Sequence, residues 1–420
     1  MSPPRLLPLA LTLSLVAAGA ARASGYAGTA LGTLGGPTAS ASAINASGQI
    51  GGRASVSSSS YHAAIWTQGN VADLGVLAGG TKSAVSALND AGQAAGFSNL
   101  TDGSYHAVLF SAGQVIDLGE GPASFANGID SAGRVVGVNN DQSSTAYRAF
   151  LWQNGASTDL GDLGGGAAYA YSVSAAGVVG LSTVASGVEH AFFWQGGSMQ
   201  DLGTLPGDTT SWAVAINDSG QIVGNSTTAS GPCHAFLWQN GTMTALPPLS
   251  GAQSVANGIS PSGLVIGSSL SGNTLWTNGV PENLNAATGD LLGYCVGVNN
   301  AGMIACAGQV ANANVITFLV APVSMISLGI SADKSSYTTG STAQLSGSVT
   351  LAGAPFSGAG VSIRVATPGN GTALSVDDTL ANGSFVSSFS ITKRDGTGTY
   401  SVSATAQGSS AATTSFLVTK

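Results

Sequence analysis

Residues 211–224 read SWAVAINDSGQIVG and contain three signals in a row. Small or polar residues alternate with larger apolar ones up to Ile216, an Asn-Asp-Ser-Gly turn follows, and a second apolar segment begins soon after Gly220. Alternation predicts a β-strand, and a tight turn with Asn, Asp and Gly predicts an antiparallel hairpin. The segment is therefore predicted to form two short strands that pair through the turn.

This turn recurs about every 42 residues, so the chain is a tandem repeat. Its seven copies begin at Asn45, Asn89, Asp130, Ser174, Asn217, Ser260 and Asn299. Between turns the order is constant: a short strand, a polar loop, a strand such as HAFLW, a second turn and a segment such as DLGTL. Four short strands per repeat match one blade, so residues 24–322 are predicted to form an all-β, seven-bladed β-propeller. An open solenoid of the same repeats is the alternative.

The two ends of the repeat array complement each other. The array opens on TALGTLGG at residues 29–36, which corresponds to the DLGTL segment, and finishes on VITFLVAP at 315–322, which corresponds to HAFLW. We expect these first and last segments to meet, because closure removes exposed sheet edges.

Residues 1–23 have the pattern of a secretory signal peptide. They contain Arg5, an apolar run over residues 6–18, and small residues at Ala21 and Ala23 before the expected cleavage. The run is short for a membrane span, so none is expected. The pattern predicts export to the extracellular space, with the periplasm as the alternative.

The composition is neutral and rich in turn residues. Of 420 residues, 61 are Gly, 44% are hydrophobic and only 7% are charged, which favours a folded all-β chain. Residues 24–321 contain four basic and fifteen acidic groups, a net charge of −11. A surface of this sign argues against a nucleic-acid partner.

The recurrent segments HAFLWQNG, DLGTLPG and AVAINDSGQIVG resemble the HAF repeat family of extracellular bacterial proteins. The signature is literal at His190 and His234, becomes HAA at His62 and HAV at His106, and becomes RAF at Arg148. The resemblance covers residues 26–322. It implies export and a repeat fold, and it implies no chemistry.

Polar residues recur at two positions of the repeat. One column holds His62, His106, His190 and His234, and the other holds Asp73, Asp117, Asp159 and Asp201. Equivalent residues of different blades do not converge to the ~2 Å that zinc ligation needs, so no metal site or other cofactor is predicted. The columns instead predict buried hydrogen-bond networks within blades. The tryptophan column of HAFLW predicts packing between blades, with sugar stacking as the alternative.

A third column is aromatic in four of the seven repeats. It lies eight residues before the turn glycine and contains Phe125, Tyr169, Trp212 and Tyr294. Equivalent positions sit at one height around a propeller axis, so these rings are a candidate ligand-binding arc at one mouth. Filling of gaps between blades is the alternative.

The three cysteines divide into a pair and a single residue. If residues 299–302 form the last hairpin loop, Val298 faces Met303 and Cys295 falls opposite Cys306, which predicts a disulfide. Cys233 then remains free beside His234. Neighbouring residues of a strand point to opposite faces, so this pair is a poor candidate for a nucleophile and its base.

After Pro322 the repeat stops. Residues 323–420 contain seven candidate strands between turn clusters such as TPGNG and RDGTG. Together with the late DGTGTYSVSATA they resemble bacterial immunoglobulin-like domains. The resemblance implies a β-sandwich with Tyr400 as its tyrosine-corner residue.

Two classes of function fit these features. The first is an exported, non-catalytic binding or structural protein that recognises a glycan, a peptide or a cell-surface polymer at one mouth of the propeller. The second is a secreted glycan-cleaving propeller enzyme, which needs two carboxylates about 5–10 Å apart. Most acidic residues here belong to repeat columns or turns, and no catalytic residue is assigned. The sequence favours binding.

Overall fold

The structure is a computed structural model that describes residues 26–140, 146–285, 292–309, 315–322, 325–357, 360–369, 372–380, 382–406 and 411–420. The fold is all-β, and the chain divides into two compact units, Ser24–Pro322 and Val323–Lys420. In these ranges no helix has the length and apolar character needed to cross a membrane. The expected signal peptide lies outside the described residues.

The first unit contains seven four-stranded antiparallel sheets. Strand β1 spans Tyr26–Ala30. Sheet 1 contains β2 (Ala39–Ile44), β3 (Ile50–Ser55), β4 (Tyr61–Thr67) and β5 (Asn70–Asp73). Sheet 2 contains β6 (Ser83–Leu88), β7 (Ala94–Asn99), β8 (Tyr105–Ser111) and β9 (Gln114–Asp117). Sheet 3 contains β10 (Phe125–Ile129), β11 (Val135–Asn139), β12 (Arg148–Gln153) and β13 (Ala156–Asp159), and sheet 4 contains β14 (Gly164–Ser174), β15 (Gly177–Val184), β16 (Glu189–Gln195) and β17 (Ser198–Gly203). Sheet 5 contains β18 (Thr210–Ile216), β19 (Ile222–Thr227), β20 (Cys233–Gln239) and β21 (Thr242–Ala245), and sheet 6 contains β22 (Ser254–Ile259), β23 (Val265–Ser269), β24 (Gly272–Thr277) and β25 (Val280–Asn283). Sheet 7 contains β26 (Leu292–Val298), β27 (Ile304–Gln309), β28 (Val315–Pro322) and the distant β1.

In each sheet the repeated turn joins two strands, which we call the leading strand and the second strand. The leading strand is the first of the sheet in sequence in sheets 1 to 6, and it is β26 in sheet 7. In sheet 5, Oδ1 of Asn217 accepts the Gln221 backbone N–H at 3.0 Å, and the Asn217 carbonyl accepts the Gly220 N–H at 3.0 Å. Gly220 has a φ of 74°, a left-handed conformation that glycine adopts at little cost. The first Asn and the Gly of the motif therefore close the hairpin.

Every leading strand also contains a β-bulge at one position of the repeat. The bulged residues are Ser42, Ser86, Asn127, Tyr171, Val214, Asn257 and Val296. In the last hairpin Val298 pairs with Ile304, so the expected pairing with Met303 is wrong by one residue. The bulge at Val296 compensates for that shift and brings Cys295 opposite Cys306.

The glycine that ends each motif allows the close approach of the second strand to the leading strand. A Cβ at Gly224 would lie 2.2 Å from the Trp212 carbonyl oxygen and 2.5 Å from Cζ of Phe236. Sheets 1 to 6 have glycine at this position, opposite a small residue of the leading strand: Gly52, Gly96, Gly137, Gly180, Gly224 and Gly267. In sheet 7 the same two positions are Cys295 and Cys306, which form a disulfide.

The sheets contact one another in the order of the repeats. The second strand of each sheet contacts the leading strand of the next, and β27 of sheet 7 contacts β2 of sheet 1. Strand β1 pairs antiparallel with β28, from Tyr26 opposite Pro322 to Ala30 opposite Phe318. The hydrophobic core lies between neighbouring sheets, where Trp66 and Trp276 of the HAFLW-type strands are fully buried.

The second unit contains two sheets. Its strands are β29 (Ile326–Ala332), β30 (Ser336–Thr338), β31 (Thr342–Leu351), β32 (Ala354–Pro355), β33 (Gly360–Ala366), β34 (Thr372–Thr379), β35 (Ser384–Ser390), β36 (Gly398–Ala406) and β37 (Ala412–Thr419), with a 3₁₀ turn at Lys393–Asp395. One sheet contains β29, β31, β32 and β35, and the other has the order β30-β37-β36-β33-β34. The buried Tyr400 stacks on Phe416 at 5.3 Å between ring centroids, and its hydroxyl donates to the Gly396 carbonyl at 2.8 Å.

Candidate functional site

The predicted histidine and aspartate columns form pairs at the surface of the first unit. Three pairs share one geometry, with Nδ1 2.7–2.9 Å from a carboxylate oxygen: His62–Asp73, His106–Asp117 and His190–Asp201. In sheet 3, Arg148 replaces histidine and lies 3.1 Å from Asp159. The aspartate side chains of the three histidine pairs are 37–41% exposed, so the expected burial is wrong. Exposed pairs of this kind contribute about 1 kcal/mol or less each.

His234 departs from the column because sheet 5 has Ala245 where sheets 1 to 4 have aspartate. Ala245 lies opposite Phe236, just as Asp201 lies opposite Phe192. The Nδ1 atom of His234 instead lies 3.0 Å from the carboxylate of Asp208, whose side chain is only 4% exposed.

Serines, which the sequence did not single out, form the buried polar network. In sheet 5 the Oγ of Ser211 accepts the Ala191 backbone N–H of sheet 4 at 2.8 Å and donates to the Gly203 carbonyl at 2.6 Å. The same bond from the alanine of the HAF-type strand recurs at 2.8–3.0 Å in Ala63–Ser83, Ala107–Ser124 and Ala235–Ser254. These hydroxyls are buried and hydrogen-bonded, so they stabilise the contact between adjacent sheets.

In sheets 1, 2, 5 and 7 the first asparagine of the turn also links its sheet to the next. Nδ2 of Asn45 donates to the Asn89 carbonyl at 3.2 Å, and Nδ2 of Asn217 donates to the Ser260 carbonyl at 3.1 Å. Nδ2 of Asn299 in sheet 7 donates to the Asn45 carbonyl in sheet 1 at 3.0 Å. The turn motif therefore has a structural role that accounts for its first residue.

One cavity of about 320 Å³ is lined by the leading strands and turns of all seven sheets. The bulged residues line its wall, and Tyr171 has the largest side chain among them. Burial raises the pKa of Tyr171 to about 12, with Tyr169 as the next cause, so this phenol stays protonated at ordinary pH. Nδ2 of Asn127 and of Asn257 already donates to a carbonyl of the following sheet, at 2.9 and 2.8 Å.

The four predicted binding residues lie near the start of their leading strands, away from the turns. Phe125 packs on Phe97 and Tyr105 of sheet 2, at 5.5 and 5.9 Å between ring centroids. Tyr169 packs on Tyr147, which directly precedes β12, at 5.2 Å between ring centroids. The Tyr294 hydroxyl lies 2.9 Å from Oγ of Ser40 in sheet 1.

Among the described residues, these four rings have no ring contact with one another. The ring contacts found there join Phe125 and Tyr169 to the preceding sheet and not to each other. Trp212 is half-buried, and Tyr294 is 47% exposed. The rings therefore span the boundaries between sheets, while most of them keep some surface in solvent.

Three tyrosines that the sequence had not singled out extend this aromatic surface. Tyr61, Tyr105 and Tyr147 directly precede the histidine or arginine of three consecutive repeats, and this shared position is the signal that could have revealed them. Burial raises the pKa of Tyr61, the adjacent Tyr105 raises it further, and Arg53 lowers it. Tyr61, Phe97, Tyr105 and Phe125 form what we call the aromatic band, which crosses sheets 1 to 3.

The cysteines of the first unit comprise one disulfide and one thiol whose pKa is raised. Cys295 and Cys306 form a disulfide with both side chains fully buried. Burial, followed by the charge of Asp208, raises the pKa of the Cys233 thiol from 9.0 to about 11. A thiol near His234 with a raised pKa is the opposite of an activated nucleophile.

We expect Cys233 to react slowly with iodoacetamide in the folded protein. At pH 8 the thiolate fraction at a pKa of about 11 is about 100-fold below that of an unperturbed thiol, and it rises about tenfold per pH unit up to that pKa. Mass spectrometry of the carboxamidomethylated peptide between pH 7 and 10 measures this rate. Protein unfolded in guanidinium with the disulfide intact is the control, and equal rates in both states would contradict the raised pKa.

The described residues contain no group of three or more His, Cys, Asp or Glu side chains that could hold a metal ion. Among them the only pairings of the histidines are the single aspartates above.

The chain matches no protein-family model and no curated protein. The likenesses to solved structures are weak. A CARDB domain from Pyrococcus furiosus, solved in complex with di-metal ions, is 17% identical over 22% of this chain and 87% of that chain, with a TM-score of 0.17. TolB from Acinetobacter baumannii is 9% identical over 55% of this chain and 63% of that chain, less than two thirds of its length, with a TM-score of 0.33. A mutant alpha-2-macroglobulin from Salmonella is 16% identical over 66% of this chain and 14% of that chain, with a TM-score of 0.22. At these scores none of them informs the function.

Proposed function

We propose that this chain is an exported, non-catalytic binding protein of the HAF repeat type. Its first unit is a seven-bladed β-propeller, its second unit is an immunoglobulin-like sandwich, and the aromatic band at one end of the propeller binds a glycan outside the cell. The signal-peptide pattern of residues 1–23 and the buried disulfide support export, since disulfides persist in oxidising compartments.

Three features of the first unit support the propeller. Seven four-stranded sheets contact one another in sequence order, and the seventh contacts the first. The sheet that contains the end of the array also contains β1, its beginning. One cavity is lined by the leading strand of every sheet, as expected for strands around an axis. In the second unit, two packed sheets and the Tyr400–Gly396 bond support an immunoglobulin-like fold.

The aromatic band is the observation that supports binding. Its four rings come from sheets 1, 2 and 3, so the contact between sheets itself creates the surface. Each ring is half-buried: the fold fixes its position while part of the ring remains accessible. Rings held in this way stack on the C–H faces of sugars at little conformational cost.

Loss of the band should weaken glycan binding by the full-length chain. We expect Tyr105→Ala with Phe125→Ala to weaken binding about 30-fold, because two stacking rings contribute about 2 kcal/mol together. Affinity electrophoresis of the purified protein through gels with and without dissolved polysaccharides gives the dissociation constants.

Two further variants keep this test interpretable. Tyr105→Leu with Phe125→Leu keeps apolar packing between sheets 2 and 3 but removes the aromatic faces. Val280→Ala changes a 67% exposed residue on the outer strand of sheet 6 and serves as the control. Retention of full affinity by the leucine pair, with an unchanged melting temperature, would contradict the proposal.

A further inference from the structure

We infer that the glycan bound at the aromatic band is acidic: its sugar rings stack on the band while a uronate carboxylate is bound by Arg53 and Lys82. This inference rests on the proposed function and adds the chemical class of the ligand. It uses two cations that the fold places beside the aromatic band and leaves without a carboxylate in the described part of the chain.

The four cations of the first unit divide into two that form ion pairs within the unit and two that do not. Residues 24–322 contain four basic side chains. Arg134 lies 2.6 Å from the carboxylate of Asp130, and Arg148 lies 3.1 Å from that of Asp159. Within the described ranges Arg53 and Lys82 form no ion pair. In a unit with fifteen acidic groups, two unpaired cations at one place are unexpected unless they meet an external anion.

Both cations adjoin Tyr61 at the edge of the band. The guanidinium carbon of Arg53 lies 4.8 Å from the centroid of the Tyr61 ring. The backbone of Lys82 forms a β-bridge with Tyr61, although Lys82 belongs to the lead-in of sheet 2. Arg53 also pairs across strands with Ser40, whose hydroxyl contacts Tyr294. Arg53 therefore lies between Tyr61 and the exposed Tyr294, whereas Lys82 adjoins Tyr61 on the side of sheet 2.

This arrangement fits a carboxylate that is attached to a sugar ring. Arg53 is exposed and its guanidinium lies over the Tyr61 ring, and a guanidinium can donate two parallel hydrogen bonds to a carboxylate. A uronic acid has its carboxylate at the rim of the ring, so the ring can stack while the carboxylate meets the cations. A neutral glycan uses only the aromatic part of this surface.

Oligogalacturonate and its methyl ester test the inference directly, because they share the sugar ring and differ only at the carboxyl group, which is charged in the acid and capped by a neutral methyl group in the ester. Isothermal titration of the full-length protein should show at least tenfold tighter binding of the free acid than of the ester. Arg53→Gln with Lys82→Gln should reduce this preference to about twofold. Oligomannuronate and its ester form a second pair of probes with another ring geometry.

The outcomes separate the inference from the proposed function. Equal affinity for acid and ester, with loss of both in Tyr105→Ala with Phe125→Ala, would overturn the inference and keep the function. No binding of any acid or ester would overturn both. Arg364→Gln removes an exposed cation of the second unit and is the charge control; an equal loss of preference in this variant would indicate only long-range attraction.

Discussion

Removal of residues 26–31 should destabilise the first unit far more than its short length suggests. Strand β1 pairs with β28 over five residues, and the segment buries Ala27 and Leu31 against sheet 7. The lost hydrogen bonds and apolar contacts sum to about 5 kcal/mol. We expect the melting temperature of the first unit in the full-length protein to fall by about 8 °C in differential scanning calorimetry.

Sheet 5 supplies a matched control for this deletion. Strand β21 (Thr242–Ala245) occupies the same outer position in its sheet that β1 occupies in sheet 7, but it is joined to its neighbour by a tight turn. Replacing its four residues by Gly-Ser-Gly-Ser removes side chains that are mostly exposed and opens no contact between the ends of the array. The deletion should therefore cost several-fold more stability than this replacement. Equal losses would mean that β1 acts only as an ordinary outer strand.

The strand segments could be predicted from sequence because the same pattern of strands and turns recurs in seven repeats. The Asn turn and its glycine have sharp residue requirements, so Asn217 and Gly220 mark their hairpin without any structural knowledge. Tyr400 was singled out only through the resemblance to immunoglobulin-like domains, and in the structure its buried hydroxyl donates to the Gly396 carbonyl.

The bulge could not be predicted, because it is set by backbone geometry rather than by residue type. Its position holds serine, asparagine, tyrosine and valine in different repeats, and no composition signals it. The register of the last hairpin was consequently off by one at Val298, although the cysteines still meet. The Asp208 partner of His234 was also hidden, because it lies outside the repeated column.

The candidate site was predicted only in part. A column along the sequence groups Phe125 with Tyr169, Trp212 and Tyr294, whereas in the structure Phe125 contacts residues of the preceding repeat. Contacts between neighbouring sheets combine different columns. The aromatic band therefore needs the order in which sheets pack, which no single column contains.

The Gly224→Ala substitution should strongly reduce the free energy of unfolding, because the leading and second strands approach each other closely at this glycine. The added Cβ would lie 2.2 Å from the Trp212 carbonyl oxygen, and that oxygen belongs to a strand held by its own sheet. Backbone atoms cannot move aside cheaply, so we expect a loss of about 3 kcal/mol or more in urea unfolding followed by circular dichroism. Glycine is required here for space, not for an unusual φ.

Gly32→Ala is the matched control for that variant, because nothing lies within 4 Å of a Cβ built at Gly32 and its φ is ordinary. The same chemical change should therefore alter the free energy of unfolding by no more than about 0.5 kcal/mol there. A mild effect at Gly224 would show that sheet 5 can separate its first two strands. In sheet 7 the equivalent position is Cys306, which faces Cys295 and is bonded to it through a disulfide, so this sheet is the one that has a side chain where sheets 1 to 6 have glycine.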